Sequence, residues 1–246
     1  MISRPAPIQH PVRVVSLVPS VTETLLAWGI TPAACTRFCE QPALRHVGGT
    51  KDPDVAAVVE LEPDLVVMCD EENRREDADA LTHAGVDVHS CSPRSVREVG
   101  PALEALAAAV GSGPRTPPVA FPPQPDLGLQ AFVPVWRRPW MTLNGDTYGS
   151  SALAAIGVEN VYAREGDRYP PTDLATAAAL TPDLVVAPSE PYPFGPRHVA
   201  ELEAVAPVVL VDGRDLFWWG VRTPSALERL REQLSAGRDR AQTRSS

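Results

Sequence analysis

One phrase is written twice in this chain, and it limits what the chain can fold into. Leu61-Glu62-Pro63-Asp64-Leu65-Val66-Val67 returns in the second half as Leu180-Thr181-Pro182-Asp183-Leu184-Val185-Val186. After each copy the apolar run reaches an acidic tip, Asp70-Glu71-Glu72-Asn73 in one and Ser189-Glu190-Pro191-Tyr192 in the other. A helix-like stretch and another apolar strand follow, so each copy reads as a strand, loop, helix, strand unit. A second pair agrees with the first. Ser16-Leu17-Val18-Pro19-Ser20 runs into Leu25-Leu26-Ala27-Trp28-Gly29, much as Asn144-Gly145-Asp146-Thr147-Tyr148 runs into Leu153-Ala154-Ala155-Ile156-Gly157. The duplication predicts an α/β protein of two similar Rossmann-like lobes, each a parallel sheet covered by helices.

Along the first half, Val12 to Val18 predicts a buried strand, and Ser20 with Glu23 fits a capping box opening a helix that ends at Gly29. A strand that runs into a helix N-terminus leaves free backbone N–H groups at the carboxyl edge of the sheet. Helices are expected over 54–61 and about 76–83, strands over 65–68 and 86–90, and a clear amphipathic helix from Val96 to Val110. Six prolines between Ser112 and Gln130 exclude a helix there and predict a stiff, semi-extended linker. The expected boundaries are an N-terminal lobe over 12–111, a linker over 112–130, a C-terminal lobe over 131–234 and a frayed polar tail over 235–246.

Composition serves mostly to exclude. The net charge of −9 and a sequence pI near 5.1 argue against nucleic acid and against an anionic membrane surface. With 44% hydrophobic and 22% charged residues the chain is ordinary for a globular protein. No stretch reaches the roughly 20 apolar residues of a spanning helix. The N-terminus lacks the apolar core of an export signal, so the chain reads as cytoplasmic as written, and as extracytoplasmic if a signal was trimmed. Cys35, Cys39, Cys69 and Cys91 have no zinc-like spacing, and an unexported chain would keep them reduced.

Several ordered phrases together resemble a known family: Val15-Ser16-Leu17-Val18-Pro19-Ser20 with Thr22 and Glu23, Val47-Gly48-Gly49, Trp136-Arg137 with Pro139-Trp140-Met141, Gly145-Asp146-Thr147-Tyr148, Glu159-Asn160-Val161, Glu190-Pro191-Tyr192, and the two Pro-Asp-Leu-Val copies. They resemble the cobalamin- and siderophore-type substrate-binding proteins of ABC transporters, the two-lobed class with a helical backbone, over Arg13 to about Leu230. The resemblance implies a monomer that holds cobalamin or a related metal chelate in a cleft between the lobes, without catalysis and without an intrinsic cofactor. An ABC permease is the implied partner; an iron-siderophore or heme is the alternative ligand. Two departures stand out. The proline-rich linker replaces most of the family's long bridging helix, and Leu216 to Arg222 offers no glutamate where the second permease contact would fall.

A corrin or iron chelate is a broad, partly apolar disc with a polar rim, so its site needs aromatic faces and a few polar groups. Phe38, Trp136, Trp140, Tyr192, Phe194, Trp218 and Trp219 all sit among turn residues; packing against the linker or tail is the competing reading. Glu71, Glu72 and Asn73 at the first acidic tip, and Glu190 at the second, are candidates for the ligand rim, against the plain reading of a solvated, charged helix start. Ser20, Asp146 and Tyr148 are candidates at the two helix starts. Lys51, Arg137, Arg138 and Arg222 could meet phosphate, propionate or carboxylate groups. His46 or Cys39 could serve as an axial ligand to a chelated metal, although an isolated histidine is more often a surface group. Nothing here forms a nucleophile elbow, P-loop or dinucleotide fingerprint. A cytosolic corrinoid handler or sensor, and a chelatase or metal reductase on the same two lobes, are the remaining alternatives.

Overall fold

The computed structural model describes residues 12–111 and 126–245. The prolines that mark the expected linker lie outside the described residues, except for the approach to the second sheet from Asp126 onward. By its contacts the chain divides into two units, the first holding residues 12–92 and 99–111 and the second 93–98 and 126–245. The assignment of 93–98 departs from the sequence boundary at 111. Arg94 pairs with Asp146 at 3.1 Å, and the Val96 amide donates to Ser151 Oγ at 3.0 Å.

The first unit contains β1 (Val14–Ser16), α1 (Pro19–Ala27), β2 (Ala34–Cys35), a 3-10 turn (Arg37–Cys39), α2 (Val55–Val59), β3 (Leu65–Met68), α3 (Arg75–His83), β4 (Val88–Ser90) and, from Val99 onward, α4 (Val96–Ala109). Its strands lie in the order β2-β1-β3-β4 and all pair in parallel. The short runs of valine and leucine are buried on both faces, as a helix-covered parallel sheet requires, and the core joins Val15, Leu17, Val66 and Met68 to Val58 of α2 and Leu81 of α3.

The second unit repeats the plan with β5 (Leu129–Phe132), β6 (Trp140–Met141), α5 (Tyr148–Ala155), β7 (Val158–Asn160), β8 (Pro171–Thr172), α6 (Leu174–Ala179), β9 (Leu184–Pro188), α7 (Pro196–Leu202), β10 (Val208–Val211), α8 (Gly213–Phe217) and α9 (Thr223–Ser245). The parallel order is β10-β9-β5-β7, with β6 and β8 forming a separate antiparallel pair. Phe132, Val185, Phe194 and Leu202 anchor its core.

The duplicated phrase has one physical job in both units. Asp64 accepts the Arg13 amide on its carboxylate at 2.7 Å while its own N–H donates to the Arg13 carbonyl at 2.9 Å. Asp183 does the same with Gln130, at 2.7 Å and 2.8 Å. The residue before each proline is left-handed, Glu62 at φ 46° and Thr181 at φ 53°, and reverses the chain at the end of α2 and of α6. Each copy therefore closes a helix and staples the start of β3 or β9 to the residue at the start of the strand beside it.

Two local expectations change. The Ser20–Glu23 capping box does not form: Val18 is the N-cap and makes no side-chain cap bond, Pro19 takes the first helical position, and Ser20 lies inside α1. Proline fits that position because the first-turn N–H has no intrahelical partner. The residues beyond 234, expected to fray, continue helix α9 to Ser245. A Cβ at Gly237 would meet Val209 Cγ2 at 2.3 Å, so that turn of the helix lies directly against β10.

Candidate functional site

In a parallel α/β sheet the ligand edge is the carboxyl edge, at the point where successive connections leave in opposite directions. In the second unit the chain goes from β5 to β7 on one side and returns to β9 on the other. The crevice therefore opens between the loops after β5 and β9. After β5 the chain makes a hairpin tip, with the Val135 amide on the Met141 carbonyl at 2.9 Å, the Met141 amide on the Trp136 carbonyl at 3.1 Å and left-handed Arg138 at the reversal. That tip carries Trp136, Arg137 and Trp140. The loop after β9 carries Tyr192 and Phe194.

These side chains meet. Trp136 is edge-on to Tyr192 at 5.6 Å between ring centroids, Trp140 stacks on Phe194 at 5.9 Å with planes 5° apart, and Tyr192 lies 4.7 Å from Phe194. His198, in the first turn of α7, is edge-on to both Tyr192 and Phe194 at 5.5 Å. Its Nδ1 accepts the Gly195 amide at 3.1 Å, and burial holds its pKa below the ordinary imidazole value. Arg137 lies over Trp140 and is fixed by Glu201, with Nε at 3.0 Å; a hydrogen bond with Tyr192 raises its pKa further. The cluster grades from a buried base, Phe194 at 5% exposure, to an open face, Trp136 at 44%. A broad aromatic surface backed by core is what a flat, partly apolar ligand needs.

In the first unit the equivalent crevice lies between β1 and β3; Ser20 follows β1 and Glu71, Glu72 and Asn73 follow β3, whereas Phe38, Cys39 and His46 follow β2. Asn73 is the buried pivot: its Oδ1 accepts the Cys69 amide at 2.8 Å, and its Nδ2 donates to the carbonyls of Leu17 at 3.2 Å and Thr50 at 2.9 Å. It thus ties three loops together. Glu71 and Glu72 are half-buried beside it, and exposed Lys51 donates to the Glu71 carbonyl at 2.7 Å. Ser20 is buried with an unpartnered hydroxyl. Phe38 is 51% exposed, with Arg37 over its ring at 4.8 Å. His46 is exposed with Nε2 against the Gln41 carbonyl, and Cys39 is buried.

Other candidates are committed to neighbours. Asp146 pairs with Arg94 at 3.1 Å and faces Arg168 at 3.8 Å. Tyr148 is buried and bonds Thr223 Oγ1 at 2.9 Å, and burial pushes its phenol up to about 12. Arg222 donates to Asp215 at 3.0 Å and lies over Trp218 at 5.2 Å, while Arg229 grips the same carboxylate at 2.6 and 2.7 Å. Trp219 is 4% exposed and belongs to the core. Glu190 is half-buried; its side-chain stem and backbone lie so near Gly213 that a Cβ there would meet Glu190 Cγ at 2.4 Å. His198, Glu201 and Asp215 were not singled out as site residues from the sequence. The one signal for His198 was Gly195-Pro196 at a helix start three residues earlier.

No protein-family model matches the chain. It is 23% identical over 201 residues to the vitamin B12-binding protein of Salmonella choleraesuis, a match covering 71% of each chain. Its fold superposes on the periplasmic vitamin B12 binding protein of Vibrio cholerae with a TM-score of 0.72 at 19% identity, covering 92% of this chain and 98% of that one. The chain has the fold of these periplasmic binding proteins. A periplasmic heme binding protein from Pseudomonas aeruginosa matches with a TM-score of 0.73 at 21% identity, over 90% of this chain and 92% of that one. These matches bear out the resemblance to the cobalamin- and siderophore-type substrate-binding proteins, and the relatives are named as binding proteins and not as enzymes. Among the described residues no helix is long and apolar enough to cross a membrane.

Proposed function

We propose that the protein binds cobalamin or a related metal chelate without transforming it, as the extracytoplasmic substrate-binding component of an ABC uptake system. The observation that carries this reading is the graded aromatic cluster of Trp136, Trp140, Tyr192 and Phe194 at the switch point of the second sheet. Ring faces stabilise a macrocycle through dispersion and burial of apolar area, and the buried rings beneath keep the platform from collapsing when it is empty. Arg137, locked between Glu201 and Trp140, stiffens the rim and holds a cation where a carboxylate side arm would approach. The printed names of the relatives, vitamin B12 binding and heme binding, support the ligand class.

The test is a calorimetric titration of the purified protein with cyanocobalamin, with heme and a ferric siderophore as parallel arms. One-to-one cobalamin binding is the expected result. Binding of heme or the siderophore alone keeps the platform and moves the ligand, and silence in all three arms overturns the reading.

A further inference from the structure

The aromatic platform of the second unit rests on a histidine that also closes a helix. His198 is 4% exposed, and its N–H donates to the Gly195 carbonyl at 2.9 Å while the Gly195 N–H donates back to its Nδ1 at 3.1 Å. This reciprocal pair is a capping box in which an imidazole stands where glutamate or glutamine is usual. It fastens the start of α7 to the residue that directly follows Phe194. The segment Tyr192-Pro193-Phe194 is itself closed by the Phe194 amide on the Tyr192 carbonyl at 2.7 Å.

The same imidazole touches both rings of that segment. Its centroid lies 5.5 Å from Tyr192 and 5.5 Å from Phe194, and Phe194 in turn stacks on Trp140. The ring cannot leave the cap without withdrawing support from the faces it holds.

The proton count of the ring decides whether the cap exists. Arg197 Nε directs its N–H at Nε2 at 3.3 Å, so two donors face the two ring nitrogens. A neutral imidazole has one lone pair to offer, and an imidazolium has none. With Nδ1 holding the Gly195 amide, the single ring proton sits on Nε2. A second proton, taken from water, can enter only at Nδ1, where it leaves the Gly195 N–H opposed by another N–H. The charges around the ring do not welcome it. Arg197 and Glu201 come from α7, Arg137 from the hairpin tip and the Tyr192 phenol from the loop after β9, while β10, on which α7 packs, brings valine and leucine alone. Glu201 is already held by Arg137, at 3.0 Å through Nε and 2.9 Å through Nη2. Burial first, then Arg197 and Arg137, hold the imidazole pKa below its ordinary value.

We propose that His198 is the positioning residue of the platform and makes it proton-sensitive: the neutral imidazole holds Tyr192 and Phe194 ready for a ligand, and protonation breaks the α7 cap, loosens both rings and weakens chelate binding. The ligand half of this inference rests on the chelate-binding reading; the loosening of the rings does not. The neutral form is complete above about pH 6.5 and is lost as pH falls toward the lowered folded-state value.

The experiment uses the full chain as wild type, His198→Asn and His198→Ala, between about pH 7.5 and pH 5. Asparagine keeps an acceptor at the same branch of the side chain and does not titrate. Cyanocobalamin titrations read affinity, and near-ultraviolet circular dichroism without ligand reads the packing of the rings. Wild-type affinity should fall at least about fivefold across this range, since one linked proton gives up to tenfold per pH unit. The Asn variant should match wild type at the upper pH and vary by no more than about twofold below it, and the Ala variant should bind about tenfold more weakly at both ends. The wild-type ring spectrum should change with a midpoint equal to the NMR titration of the His198 imidazole, while the Asn spectrum stays constant. A wild-type spectrum or affinity that does not change, the same slope in the Asn variant, or an Ala variant that binds like wild type would each overturn the proposal. If cyanocobalamin is not bound at any pH, the chelate reading fails, and the ring spectrum with its matching imidazole midpoint decides this one. The same wild-type comparison decides it if the variants do not fold.

Discussion

The two units share a scaffold and differ in what they hang from it. Both staple the start of their second central strand with an aspartate, and both turn the chain at a left-handed residue before Pro-Asp. At the opposite edge the first unit carries carboxylates, an amide pivot, four cysteines and one exposed ring. The second carries a contiguous aromatic platform, with an ion-pair cluster around the buried Asp215 on the α8–α9 side. The comparison teaches that a duplicated fold is held by what was copied and specialised by what was not.

The sharpest way to break it is in the ion pairs. Asp215, 3% exposed, holds two arginines, so Asp215→Ala should cost about 3–5 kcal/mol in urea unfolding. The nearest relative in the first unit, Asp77 with the exposed Arg74, should cost far less when Asp77 is replaced by alanine. Equal losses would mean the second unit gains nothing from its cluster. Trp219→Ala belongs with Asp215, at about 3–5 kcal/mol, because the indole is core.

Next come the platforms. Trp140→Ala or Tyr192→Ala should weaken chelate binding by on the order of 2 kcal/mol, about thirtyfold, with a smaller loss of stability. Phe38→Ala should change affinity by about threefold or less, since its ring is half exposed and, among the described residues, is stacked by Arg37. A larger effect at Phe38 in the same titration would move recognition to the first unit.

The staples should prove equivalent. Asp64→Ala and Asp183→Ala both lose a short carboxylate bond to an amide and should each cost about 1–2 kcal/mol; a clear inequality in chemical denaturation would show that the copies have diverged in energy as well as in sequence.

The smallest effect is on acid stability. Burial lowers the pKa of His89 in the first unit and of His198 in the second. A lowered folded-state pKa means the unfolded chain binds the proton more readily. The histidine contribution is therefore intact above about pH 6.5 and lost as pH falls below it toward the folded-state value. His198 has a further reason to stay neutral, because a protonated Nδ1 cannot accept the Gly195 amide. His89→Gln and His198→Gln should each flatten the slope of stability against pH between about 6.5 and 5; an unchanged slope in both would sink this account.

What the sequence showed depended on the range of the physics. The Pro-Asp strands, the α4 helix and the glycine after α1 were legible because valine runs, amphipathic periodicity and Gly29 at φ 76° are local signals. The capping box failed on an equally local competitor: Pro19 suits the first helical position and moved the helix start one residue before Ser20. At the site, Trp136, Trp140, Tyr192 and Phe194 were legible as aromatics among turn residues, but their assembly depends on β5 lying beside β9, which the sequence implies only through the repeat. Trp219 and Tyr148 are both buried, which neither the turn residues around the one nor the helix start at the other could show, because what packs on top is set by distant parts of the chain. The claim of Asp215 on Arg222 and Arg229 was invisible, because α8 and α9 are brought together by packing and not by any spacing rule.

Asp64 and Asp183 grip the end of each sheet that is remote from the loops after β3 and β9. A sheet so pinned measures from a fixed zero. Lengthening the loop after Met68 or after Pro188 costs mainly closure entropy, about 0.6 kcal/mol per doubling, while the alternation of side chains along β3 and β9 stays on its proper faces. Recognition in this protein can therefore drift by insertion at one end while register is kept at the other, and the plain carboxyl edge of the first unit is a vacant mount on which a second aromatic platform could be built.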